Sequence, residues 1–152
     1  MTDSAEAKAY ECNCLALRQA ARHITQFYDQ FLAPIGLRTT QFSILAKLRW
    51  LGPMTINALA RELVMDRTTL GRTMLPLERD GLIAIEGSAV DRRSKELQLT
   101  KRGAERLRAA MKPWREAQAE FNKIYGEQRA ASLRQELRAL ASSELASEKP
   151  LS

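Results

Sequence analysis

The sequence predicts a mainly α chain with one small β-hairpin, an α+β fold in which a compact lobe lies between long terminal helices. Two observations carry this. Apolar residues recur at helical spacing through most of the chain. One stretch adopts strict alternation instead: Leu97 and Leu99 alternate with Glu96 and Gln98, the period of a half-buried strand with one wet face.

Taken in order, Tyr10, Cys14, Leu17, Ala21, Ile24, Tyr28, Phe31 and Ile35 follow a 4-3-4-3 spacing, one face of a long helix over 10–36. Arg38, Thr39 and Thr40 cap a helix from Gln41 to Trp50 with Phe42, Leu45 and Leu48 inward, and Gly52-Pro53 ends it. Thr55 caps the next, whose Ile56, Leu59, Ala60 and Leu63 share a face. After a break at Val64-Met65, Asp66 opens a further helix with Leu70, Met74 and Leu77 inward. Pro76 removes a backbone donor there and is expected to kink the later half. Gly81 stops that helix, and Leu82 to Ile85 form the first hairpin strand. Thr100 caps a last helical region over 101–147. Its seam runs through Leu107, Met111, Trp114, Gln118, Phe121 and Tyr125, then Leu133, Leu137 and Leu140 after a break at Gly126. The tail from Ser142 to Ser152 is expected to fray.

Two short helices, a tight turn and a hairpin describe a winged helix-turn-helix lobe over 37–100. The Asp66 helix turns Arg67, Thr68, Thr69, Arg72 and Thr73 outward near its start, where a recognition helix meets base edges and phosphates. The hairpin tip Asp91-Arg92-Arg93-Ser94-Lys95 holds three cations, poor for packing but suited to phosphate or minor-groove contacts. Asp91 can orient the Arg93 guanidinium. Thr39 and Thr55, at the starts of neighbouring helices, complete the expected double-stranded DNA surface. The terminal seams need another helix to cover them, which a second copy of the chain would supply; the alternative is packing within one chain.

In residue order, the helix-turn-helix, the segment Leu77-Glu78-Arg79-Asp80-Gly81-Leu82-Ile83 and the run from Asp91 to Gly103 resemble the MarR family of bacterial transcriptional regulators. The resemblance covers roughly Leu37 to Gly103, and its two motifs occur together in order. It implies one MarR-type domain over 1–152, with dimerisation helices at 10–36 and 101–147, binding a pseudo-palindromic operator as a homodimeric repressor. It also implies an effector, a small molecule or an oxidant. Effectors such as aromatic carboxylates bind in this family where the dimerisation helices meet the DNA-binding lobe. By position His23, Phe27, Arg49, Trp50 and Met111 would line that site. Cys14-Leu15-Ala16-Leu17 resembles the Cys-Phe-Ala-Leu segment of the organic-peroxide-sensing branch, which makes Cys14 the redox candidate. That branch holds its thiolate with tyrosines; here Thr40 and Phe42 of the second helix stand where they are expected, which leaves Arg18, after Leu17, or His23 to activate the thiol. An aromatic acid therefore ranks ahead of peroxide.

Composition is compatible with this. The 152 residues carry a formal charge of +6, yet residues 61–100 hold seven basic and seven acidic side chains. The local clusters Arg67/Arg72 and Arg92/Arg93/Lys95 matter more than overall basicity. No apolar run reaches membrane-span length and no signal-peptide core opens the chain, so a cytoplasmic protein is expected. Cys12 and Cys14 point to opposite sides of a helix, and His23 is the only histidine, so no metal or cofactor is expected. No phosphate-cradling glycine loop, nucleophile with its base or carboxylate pair supports an enzyme. The remaining alternative is a winged helix used only for protein contacts, which would not need Arg72, Arg92 and Arg93 on one face.

Overall fold

A computed structural model describes residues 6, 8–88, 93–143 and 145. Among these are six α-helices: α1 (Asn13–Leu32), α2 (Thr39–Leu51), α3 (Ile56–Leu63), α4 (Arg67–Arg79), α5 (Lys101–Tyr125) and α6 (Glu127–Ala141). Three short strands, β1 (Met54–Thr55), β2 (Ile83–Gly87) and β3 (Lys95–Leu99), form an antiparallel sheet in the order β1-β3-β2. The mainly α, α+β winged-helix architecture is therefore present.

The caps explain most boundaries. Thr55 accepts from the Ala58 amide at 3.1 Å, Asp66 from Thr69 at 2.8 Å and Thr100 from Gly103 at 3.0 Å, each satisfying an otherwise orphaned N–H. Gly126, at φ 101°, separates α5 from α6. Helix α4 runs through Pro76 to Arg79, and Asp80 N–H closes its end on the Pro76 carbonyl at 3.0 Å. The first helix is shorter than its 10–36 seam: a 3-10 turn over Ala9–Glu11 precedes α1, and another over Ala33–Ile35 follows it. Helix α2 starts at Thr39 rather than Gln41, because its cap comes from outside the segment.

One core binds the lobe to the long helices. Leu45, Leu59, Leu70, Leu77, Leu82 and Leu97 are buried between α2, α3, α4 and the sheet, and Leu32 and Leu107 join them from α1 and α5. Phe42 stacks on Trp114 with ring centroids 5.8 Å apart, fixing α2 against α5. Leu82, the residue before β2, closes on α5 at Gly103. Thr100 N–H donates to the Leu82 carbonyl at 3.2 Å, and its hydroxyl donates to the Gly81 carbonyl at 2.6 Å. A Cβ on Gly103 would lie 2.0 Å from that Leu82 oxygen, so only glycine allows the approach.

The terminal seams are only partly covered. Leu107 is buried and Trp114, Phe121 and Tyr125 are half-buried. Tyr10, Leu15, Leu17, Leu137 and Leu140 remain exposed in the protomer.

Candidate nucleic-acid interface

Helices α3 and α4 meet at a three-residue turn. Val64 takes the left-handed conformation (φ 52°, ψ 48°), and Met65 N–H returns to the Ala60 carbonyl at 2.9 Å. Asp66 then holds the first turn of α4 twice, through the Thr69 amide and through the Thr69 hydroxyl at 2.5 Å. Those bonds, the hydroxyl first, lower the Asp66 pKa. The recognition end of α4 is thus fixed by a charged cap.

On this end Arg67, Thr68 and Arg72 are exposed, and among the described residues no ion pair or side-chain hydrogen bond engages them. Thr69 is also exposed but spends its hydroxyl on Asp66; Thr73 is half-buried and donates to the Thr69 carbonyl at 2.9 Å. Thr55 is occupied as the α3 cap, and Thr39 donates both N–H and hydroxyl to one Asp29 oxygen, each at 2.7 Å. The free donors therefore concentrate on Arg67, Thr68 and Arg72.

The wing rises from the same lobe. Strands β2 and β3 pair from Ile83↔Leu99 to Gly87↔Lys95, which puts Glu86 opposite Glu96. The Ser88 hydroxyl donates to Glu96 at 3.1 Å and its N–H to the Ser94 carbonyl at 2.8 Å, pinning the base of the tip. Arg93 and Lys95 are exposed and Ser94 is half-buried. Asp91 and Arg92 lie outside the described residues.

The five residues expected to line an effector site separate. Arg49, Trp50 and Met111 line one groove of about 430 Å³ between α2 and α5, together with Ala46, Leu107 and Arg108. Its Trp50 is 87% exposed. His23 is exposed and lines neither this groove nor the apolar cavity described next; Phe27 packs on Tyr28 and Phe31. A second, larger cavity of about 530 Å³ lies between α1, α2, α5 and α6, walled by Ile24, Tyr28, Phe42, Trp114, Phe121 and Leu133. Tyr28 donates to Gln118 inside it, and burial raises its pKa against the opposing field of Arg134. Cys12 caps α1, accepting from the Leu15 amide at 3.4 Å. Cys14, in the first turn, is exposed.

The sequence model of the MarR family matches residues 37–95, the lobe just described. The Mycobacterium tuberculosis transcriptional regulator MosR, in a structure with DNA, is 37% identical; the match covers 85% of this chain and 98% of that one, with a TM-score of 0.70. The chain belongs to the MarR family of DNA-binding transcriptional regulators. A further neighbour in fold, the transcriptional repressor CouR bound to a 23-mer DNA duplex, is 26% identical, with 88% of this chain and 95% of that one covered and a TM-score of 0.78. The uncharacterised HTH-type regulator YwoH of Bacillus subtilis is 35% identical over 85 residues, spanning 56% of this chain and 61% of its own length.

Sequence reading alone missed the roles of Asp29 and Gly103, which flank this MarR-type lobe. Asp29 acts on Thr39 from another helix, beyond any local capping pattern. Gly103 could have been noticed, since a glycine three residues into a long helix is costly unless something approaches it closely.

Proposed function

We propose that the chain is a cytoplasmic, homodimeric repressor that binds a pseudo-palindromic duplex and is released by a small aromatic acid. One observation carries the DNA-binding reading: Arg67, Thr68 and Arg72 stand exposed on a capped α4 with no ion pair among the described residues, beside a wing that presents Arg93 and Lys95. An α-helix fits the major groove, and the wing cations then meet phosphate or the adjacent minor groove. The uncovered Leu15, Leu17, Leu137 and Leu140 support the dimer, because a second copy would remove them from water. Two recognition helices then reach half-sites about one helical turn apart.

The groove of Arg49, Trp50, Met111 and Arg108 supports an aromatic carboxylate as effector: apolar walls for the ring, two guanidiniums for the charge. Release requires that the effector bind more tightly to a dimer spacing unable to span both half-sites. One observation favours a second reading, oxidant sensing. Cys14 is exposed on the protomer, within reach of a hydroperoxide.

One experiment separates these. Light scattering establishes the oligomer, and fluorescence anisotropy follows a duplex taken from the DNA upstream of the gene. Wild type and Cys14→Ser are each titrated with an organic hydroperoxide and a panel of aromatic acids. The favoured reading expects a dimer, salt-sensitive binding, and release of both proteins by an aromatic acid. Peroxide release that vanishes in Cys14→Ser makes the protein a redox switch. A monomer that ignores the duplex sinks the regulator reading.

A further inference from the structure

We propose that the cleft between the start of α2 and the middle of α4 seats a DNA phosphate, with Arg38 as its positioning cation. The proposal rests on the DNA-binding reading above and adds a residue outside the recognition helix and the wing. The cleft, of about 870 Å³, has Arg38 and Gln41 on one wall and Arg72, Pro76 and Arg79 on the other. One wall is thus the recognition helix itself. When an α-helix about 10 Å across occupies a major groove about 12 Å wide, the strand backbones must run alongside it.

Charge within the cleft favours Arg38 and Arg72. Arg79 is paired with Asp80 at 3.5 Å, and Asp29 is engaged by Thr39. Among the described residues no ion pair holds Arg38 or Arg72, and both are exposed. Arg72 lies nearer the helix start and the base edges, which leaves Arg38 for the backbone.

The position itself is informative. Arg38 is the N-cap of α2, where Ser, Thr, Asp or Asn normally accepts from a helix amide. A guanidinium has no acceptor to offer. The capping is carried by others: Asp29 accepts from Thr39, and Gln41 accepts from the Arg38 N–H at 3.0 Å. The Arg38 side chain is therefore not required for the helix start and is free to act outward.

The test measures anisotropy for operator and scrambled duplexes from 50 to roughly 300 mM KCl, a range over which phosphate contacts dominate affinity. Wild type is compared with Arg38→Ala, Arg38→Gln and Arg38→Lys, each checked for wild-type circular dichroism. Arg38→Ala and Arg38→Gln should weaken both duplexes by a similar factor and reduce the slope of log K against log salt by about one. Arg38→Lys should keep the wild-type slope. An unchanged slope overturns the proposal and leaves the DNA-binding reading standing. Loss confined to the operator overturns it too, by making Arg38 a base contact. Absence of salt-dependent binding by wild type removes the reading and the proposal together.

Discussion

Gly103→Ala tests the joint between the wing and α5. The added Cβ would lie 2.0 Å from the Leu82 carbonyl oxygen and 2.7 Å from Leu99 Cδ1, whereas ordinary contact begins at 3.4 Å. The Leu82 oxygen is backbone and cannot rotate away, so α5 and β2 must separate by more than an ångström. Overpacking of this kind costs about 1–3 kcal/mol. Stretching the 3.2 Å Thr100 N–H bond to the same oxygen forfeits about 0.5–1.5 kcal/mol more. Alanine returns about 1 kcal/mol of helix propensity. The net loss is about 2 kcal/mol, a fall of roughly 4–8 °C in Tm for a chain of this size. Gly71→Ala is the control. It also lies inside a helix, but nothing stands within 4 Å of its Cβ, so it should gain about 0.5–1 kcal/mol. Thermal melts at one fixed protein concentration read both variants, since dimerisation would make Tm concentration-dependent. A Gly103→Ala protein as stable as wild type would refute the close-approach argument.

Three further outcomes are expected. Arg72→Ala should narrow the gap between operator and random DNA by about 1–3 kcal/mol, while Arg93→Ala should weaken both duplexes and flatten the salt slope by about one; anisotropy titrations that leave both variants like wild type exclude this surface. Val64→Gly should stabilise the protein by about 1 kcal/mol, because a β-branched residue at φ 52° is strained where glycine is not; an unchanged or lower urea midpoint counts against that strain. Asp66→Ala should lower stability at neutral pH. The folded pKa of Asp66 is depressed, so its contribution is complete above the ordinary carboxylate value and disappears as pH falls through the depressed one. The difference in urea midpoint between wild type and variant should therefore close in strong acid, and a gap independent of pH would rule out the charged cap.

Local rules made much of this protein legible in its sequence. The caps Thr55, Asp66 and Thr100 mark helix starts because a side-chain oxygen serves an amide only two or three residues away. Helical spacing selected Leu45, Leu70, Met74 and Leu77 as inward, and alternation located β3. Arg67, Thr68 and Arg72 followed, since the face opposite a buried stripe must be the wet one. Tertiary structure decided what depends on distant partners. Strand β1 has two residues, too few for any period, and exists because Met54 pairs with Leu97. Asp29 fixes where α2 begins, and in doing so accepts from the Thr39 hydroxyl as well as its N–H. The five residues expected at an effector site divide between a groove, a packed aromatic cluster and open solvent, because helical period gives the direction of a side chain on its own helix but not the neighbour it meets. Spacing along a chain is set by bond geometry and can be read from one sequence; contact between elements is set by how whole helices pack, and only the folded chain contains it.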